Sequence, residues 1–433
     1  MAGRVPSSRS RHKFTWHPCS GGGTRSRSFA RVTATTIVVP LLAIGLLAAT
    51  AEASDPGKIS SFTGTGISGP YGIASGPSGT LWFTNIDNSS IGEITTTGKV
   101  SNFTGTGISN PFGIVEGPDG NLWFTNLGNN SIGMITPEGA VSNFTGTGIS
   151  TPLGITVGSD GALWFTNAGN GSIGRITTSG VVSNYTGSGI VDPYAITAGP
   201  NGALWFTNQN TGGTSSIGEI TTSGTVSTFT SRSITFPYGI TSGPDGALWF
   251  TNWPADGKGK SSIGRMTTAG VVTNTYTAKS IDEPVSIVTG PDKALWFLNR
   301  TTIGRITRTG AITDYSSSTI SGPEWITAGP DGALWFTNDA GYTGTTIGRI
   351  TTTVTPGITK FSPKEGDTGT KVTITGVNLA GVTAVAINGT TCKIIKHSAT
   401  SIQMVVKKGT STGPITVTTP DGVATSKGNF KIT

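Results

Sequence analysis

The chain has 433 residues, a formal net charge of +7, 65 glycines and only 12% charged residues. That length allows two or more domains. Tryptophan and phenylalanine recur at fixed places, which excludes disorder and suits a Gly/Thr-rich all-β protein.

The first segment holds much of the positive charge. Arg4, Arg9, Arg11, Lys13, Arg25, Arg27 and Arg31 precede an apolar run from Thr33 to Ala49, and Ala51-Glu52-Ala53 has the small-x-small form of a cleavage site. Residues 1–53 therefore read as a secretory signal with a long basic leader. The run approaches the roughly 20 apolar residues of a membrane span, but Pro40 inside it and its alanine-rich end favour cleavage. Cleavage removes seven basic residues and Glu52 and leaves a net charge of +1. The high pI then gives no reason to expect nucleic acid. Beyond the cut remain Cys392 and His397 alone of their types, so there is no disulfide framework. The expected location is secreted or extracellular, including the cell surface, with membrane contact only through an uncleaved signal, and the expected state is a monomer.

From residue 58 to 353 one phrase returns, centred on Trp82, Trp123, Trp164, Trp205, Trp249, Trp296 and Trp335. A period of about 40 to 45 residues with four strand-like runs in each copy is that of a β-propeller. Within the third copy the runs are Leu153 to Val157, Ala162 to Asn167, Ser172 to Thr177 and Val181 to Tyr185, separated by GSDG, AGNG and TSG turns. Lys58 to Phe62 matches the fourth runs Lys99 to Phe103 and Ala140 to Phe144, and the seventh copy lacks a fourth run of its own. The N-terminal strand is therefore expected to close blade seven, removing exposed edges. Leu-Trp-Phe, apolar without a break, suits a strand with neighbours on both faces. Each tryptophan would bury roughly 150–250 Å², about 4–6 kcal/mol gross.

Variation is confined. From each tryptophan to the next third-strand isoleucine the counts are 9, 9, 9, 12, 14, 7 and 12, so the second-to-third loops carry nearly all length differences. They share a face with the residues after each first-strand proline: Tyr71, Phe112, Leu153, Tyr194, Tyr238, Val285 and Glu324. These ring the channel mouth, either as a ligand site or as a plug. The asparagine that ends each second strand is also expected on the channel face. Blade six departs furthest, with Asp282, Glu283, Lys293, Leu298 and Arg300, and blade seven follows with Glu324-Trp325.

GPDGALWFTN followed by SIGRITT, in seven variants, closely resembles the virginiamycin B lyase (streptogramin lyase) family over roughly Lys58 to Thr353. The resemblance implies a propeller and an enzyme that linearises type B streptogramins by an ester-opening elimination, with a magnesium ion, a histidine base and glutamates. In that pattern the histidine follows a first-strand proline, one glutamate stands two residues earlier, and another ends a second strand as WFTE. Here no histidine lies in the propeller, and the terminal residues are Asn85, Asn126, Asn167, Asn208, Asn252, Asn299 and Asn338. Glu283 alone matches a family carboxylate. Asparagine is a weak ligand for a hard ion and no base.

Glu324 and Glu283, with Asp282 nearby, are the catalytic candidates. Tyr71, Phe112, Tyr194, Tyr238, Trp325, Asn299 and Asn338 are the ligand-contact candidates. No cofactor is expected unless the lyase reading holds, in which case magnesium is.

From about Pro356 to residue 433 the repeat gives way to short alternating runs, PGITKFSPKEGDTGTKVTITGVNL onward, which read as an immunoglobulin-like β-sandwich. The segment resembles an IPT/TIG domain, a spacer or binding module. Cys392 is expected in its core and His397 on its surface. The fold class is thus all-β: a seven-bladed propeller closed by an N-terminal strand, then a sandwich. The first functional reading is a non-catalytic propeller binding an unknown small molecule, glycan or cell-surface ligand. The alternative is a streptogramin lyase. A lactonase-like metal hydrolase lacks a convincing carboxylate set.

Overall fold

The structure, a computed structural model, describes residues 57–210, 213–253, 260–339, 344–352, 356–377, 379, 382–398, 401–419 and 422–433. The expected signal of residues 1–53 lies outside them, as do residues 353–355 and parts of the long second-to-third loops of blades four, five and seven.

Seven four-stranded antiparallel sheets follow one another along the chain. Blade three is Pro152–Val157, Leu163–Asn167, Ser172–Ile176 and Val182–Thr186, close to the expected runs. Blade seven is Pro323–Ala328, Ala333–Asn338 and Thr346–Thr351. Ile59–Thr63 completes it, with Ile59 opposite Ile350 and Thr63 opposite Thr346. The N-terminal strand therefore closes the ring as expected. Among the described residues no helix is long and apolar enough to cross a membrane.

Side chains alternate along each second strand, and both faces meet protein. Leu81 and Phe83 pack with Trp335 and Ile347 of blade seven, whereas Trp82 packs with Leu122, Phe124 and Ile135 of blade two. Each of the seven tryptophans is at most 1% exposed. Each also stacks on an aromatic ring of its blade's outer strand, from Phe103 on Trp82 at 5.1 Å to Tyr276 on Trp249 at 5.5 Å. In blade seven the ring on Trp335 is Phe62, brought by the closing strand. The third-strand glycine is demanded by the same packing: a Cβ on Gly174 would enter the ring of Phe165.

The threonine after the phenylalanine joins blades. Thr84 Oγ1 accepts from the Gly72 N–H at 2.8 Å and donates to the Phe112 carbonyl of the next blade at 2.8 Å. Thr337 donates to the Tyr71 carbonyl at 2.7 Å and so ties blade seven to blade one. Blade six has Leu298 here, without a hydroxyl to give. Its inner strand is short, Ile287–Thr289, and the staple toward the backbone of Glu324 is missing.

The C-terminal sandwich orders its strands Gly357–Ser362, Lys371–Val377, Ser401–Val405, Thr390–His397, Ala384–Ile387, Gly413–Thr419, Gly422–Ile432 and Glu365–Gly366. Val372, Ile374, Ile402, Met404, Val417 and Phe430 fill its core, together with Cys392, a free thiol at 5% exposure. His397 is exposed, as its lack of metal partners in the sequence suggested.

Candidate functional site

The start of each first strand pairs with the end of the second, as in Pro70 opposite Asn85. The register then shifts so that Ile73 faces Phe83. This bulge leaves two residues, Tyr71 and Gly72 in blade one, against a single threonine, and re-aims the residue after proline.

Those residues meet one another across the channel. Tyr71 of blade one and Tyr194 of blade four share a hydrogen bond between hydroxyls at 2.7 Å. Tyr71 tilts onto Phe112 with centroids 4.2 Å apart, Phe112 sits edge-on to Tyr194, and Tyr194 leans on Tyr238 at 4.5 Å. Tyr71, Phe112 and Tyr194 are 3%, 1% and 8% exposed. The mouth is thus plugged, and these three rings are packing rather than an open platform. Tyr238 and Trp325 are only half-buried and keep access. Burial first, then a neighbouring phenol (Tyr194 for Tyr71, Tyr238 for Tyr194) and the charge of Glu324, hold the Tyr71 and Tyr194 hydroxyls well above the usual phenol range.

The residues that follow the second-strand asparagines are Ile86, Leu127, Ala168, Gln209, Trp253, Arg300 and Asp339. Ile86, Leu127 and Ala168 pack on the aromatic plug. Trp253 meets Tyr238 at 5.2 Å.

The second-strand asparagines do not face the channel, contrary to the sequence expectation. Asn299 and Asn338 are each 1% exposed. Asn338 Oδ1 accepts from the Ser321 N–H at 3.2 Å, and its Nδ2 donates to the Thr319 carbonyl and to Thr346 Oγ1 at 3.0 and 2.9 Å. Asn299 does the same with the Asp282 N–H, the Ser280 carbonyl and Thr302 Oγ1. Their polar atoms hold the inter-blade connection in place, which requires an amide with a donor and an acceptor. A carboxylate at this position would lose the donor.

The carboxylates sort differently from the sequence reading as well. Glu283 turns to Arg300, 3.9 Å away, in a pair that is partly in solvent. Glu324 instead feels the charge of Asp339. Burial, and then the charge of Asp339, push the Glu324 carboxyl up to about 8. Asp339 is 2% exposed, and its N–H is bonded to the Gly322 carbonyl at 3.0 Å. Asp339 is not among the candidates that the sequence pattern singles out. The signal was present, because no other blade has a carboxylate immediately after the asparagine.

Below the plug the inner strands enclose a channel cavity of about 210 Å³. Its wall is mainly Ile73, Ile114, Ile155, Ile240 and Ile326, with Glu324, Tyr194, Tyr238 and Trp325. That is below the roughly 300–1,000 Å³ of drug-sized pockets.

A magnesium ion does not fit these residues. It prefers six oxygen ligands and keeps much of its water. Among the described residues no three His, Cys, Asp or Glu side chains converge. The Glu324–Asp339 pair has no third oxyanion, the asparagine amides are already bonded, and Asp339 is closed off from water.

The sequence model of the virginiamycin B lyase family matches residues 50–212 and 190–389, and that of the IPT/TIG domain matches 356–433. No curated protein matches significantly. Among solved structures, a streptogramin B lyase is similar at a TM-score of 0.60 and 32% identity, over 68% of this chain and 97% of that one. A catalytically inactive histidine-to-alanine virginiamycin B lyase from Staphylococcus aureus with quinupristin is similar at 0.61 and 32%, over 68% of this chain and 99% of that one. The extracellular domain of a one-component system from B. thetaiotaomicron is alike in fold alone, at 0.53 and 13%, over 88% of this chain and 59% of that one.

Proposed function

This chain belongs to the virginiamycin B lyase family, and from that premise we propose that it is a secreted propeller that binds a ligand over its mouth without opening it. The observation that carries this reading is the plug: Tyr71, Phe112 and Tyr194 after their prolines are packed rings, and the residue two positions after Glu283, where the family pattern has its base, is Val285. The related lyase named as inactive lacks one histidine side chain, and this propeller has no histidine at all. The leader of residues 1–53 supports secretion. The accessible part of the mouth, Tyr238, Trp253 and Trp325 with Arg300 and Glu283 at the rim, offers aromatic faces and charge to a small molecule, glycan or surface ligand.

One observation favours a second reading. A carboxyl raised to about 8 lies near the range suited to proton transfer at neutral pH, so Glu324 is the candidate proton-transfer group for an elimination.

Incubation with a type B streptogramin and magnesium, followed by chromatography and tandem mass spectrometry, tests the two. The cyclic compound is expected to stay intact. A ring-opened isomer, formed without added water and lost on Glu324→Gln, would overturn the binding reading. A glycan and cell-wall-fragment screen tests the other half, with a ligand held by the wild type and released by Tyr238→Ala.

A further inference from the structure

The C-terminal sandwich carries nine lysines and no arginine against three carboxylates, whereas the propeller has more acidic than basic residues. The lysines are not scattered. In the half formed by Gly357–Ser362, Lys371–Val377, Ser401–Val405 and Thr390–His397, alternate residues point inward: Phe361, Val372, Ile374, Ile402, Met404 and Cys392. The register fixes what points outward. Lys371 and Lys393 flank Val405 in one row, Thr373, Gln403 and Lys396 form the next, and Lys360 with Thr375 and Ser401 the third. Two strand spacings separate Lys371 from Lys393, roughly 9–10 Å between backbones.

All four lysines are exposed with the whole chain in place. No carboxylate lies in these rows. Among the described residues the domain's one ion pair joins Lys431 to Glu365 at 3.4 Å, on other strands. Four like charges on one face repel one another, and nothing on the face offsets them.

We propose that this face binds a linear polymer of phosphate units with one anionic charge at each repeat. Positive charge spread over neighbouring strands of one sheet suits a chain with an anion at each repeat. Lysine, a flexible point charge, follows a mobile polymer without fixing its orientation, whereas arginine forks select planar partners. The rows hold no aromatic ring on which a base would stack. The face therefore recognises backbone charge and favours a polymer without bases over nucleic acid.

The test uses the full chain and long-chain inorganic polyphosphate as the probe, with affinity measured from about 50 to 200 mM salt. Replacing Lys360, Lys371, Lys393 and Lys396 together by Gln should weaken binding at least about 10-fold, and should flatten the salt slope by about 3, from roughly 0.7 per neutralised phosphate on a single-stranded polymer. Replacing the same four by Arg should preserve binding and controls for folding. Replacing Lys99, Lys260, Lys279 and Lys293 of the propeller by Gln removes equal charge and should leave affinity within about 2-fold. The proposal falls if the wild type does not bind polyphosphate, or if the propeller variant loses as much as the sandwich variant. It falls equally if anionic vesicles are captured while the polymer is not, or if single-stranded DNA of equal charge binds more tightly.

Discussion

Adjacent strands of each blade follow opposite rules. The second strand reads Leu-Trp-Phe-Thr-Asn in six blades and Leu-Trp-Phe-Leu-Asn in blade six, whereas the residue after proline on the first strand takes five different identities in seven blades. The repeated residues each have a structural task in every blade: Trp and Phe face the neighbouring blades, Thr staples carbonyls, and Asn brackets a loop. The non-repeated ones meet only at the axis, where seven different surroundings converge. Repetition thus marks the wall, and its failure marks the one place where blades cease to be equivalent. That place is the seam between blades six and seven, where Leu298 withholds a staple and Glu324 feels the charge of Asp339.

Substitutions in the wall should be costly and those in the plug mild. Trp164→Ala, which removes a fully buried indole, should destabilise by about 3–5 kcal/mol in urea unfolding. Gly174→Ala, which drives a methyl group into Phe165, should cost about 1–3 kcal/mol by the same measure. Asn167→Ala strands the Ser150 N–H and removes bonds to Ser172 and Asn184, a loss of about 1–3 kcal/mol. Restoring the family's carboxylate with Asn167→Glu should be no milder, because it removes the donor. Tyr71→Phe takes away one hydroxyl bond across the channel and should cost about 1 kcal/mol in the same assay. A plug substitution more damaging than the tryptophan would erase the contrast.

Much of the wall was legible in the sequence, because a strand buried on both faces shows as an unbroken apolar run and the fourth-strand match of Lys58 to Phe62 betrays the closure. The mouth was less so. Whether Asn338 faced the channel depended on side-chain alternation at a strand end and on the bulge opposite Thr337, neither of which residue identities specify. Asp339 was overlooked because it falls just beyond the phrase that repeats. Tyr71, Phe112 and Tyr194 gave the right ring but not its state, since the same aromatics serve an open platform or a plug. Glu283 looked like a partner for Glu324 in sequence, yet the shortened loop of blade six brings Arg300 to it instead.

If Glu324 belongs to the mouth rather than to the scaffold, it should weaken the fold at neutral and alkaline pH. Below about 4.5 both the folded and unfolded chains hold its proton, and the group contributes nothing. Between there and about 8 the unfolded chain releases the proton while the folded chain retains it, so stability falls as pH rises. The decisive measurement is the thermal midpoint of wild type and Glu324→Gln from pH 4 to 9. The two should coincide near pH 4, and the variant should lead by about 2 °C or more at pH 8.5. A variant that is less stable than the wild type across the whole range would make Glu324 part of the scaffold and contradict the division between wall and mouth.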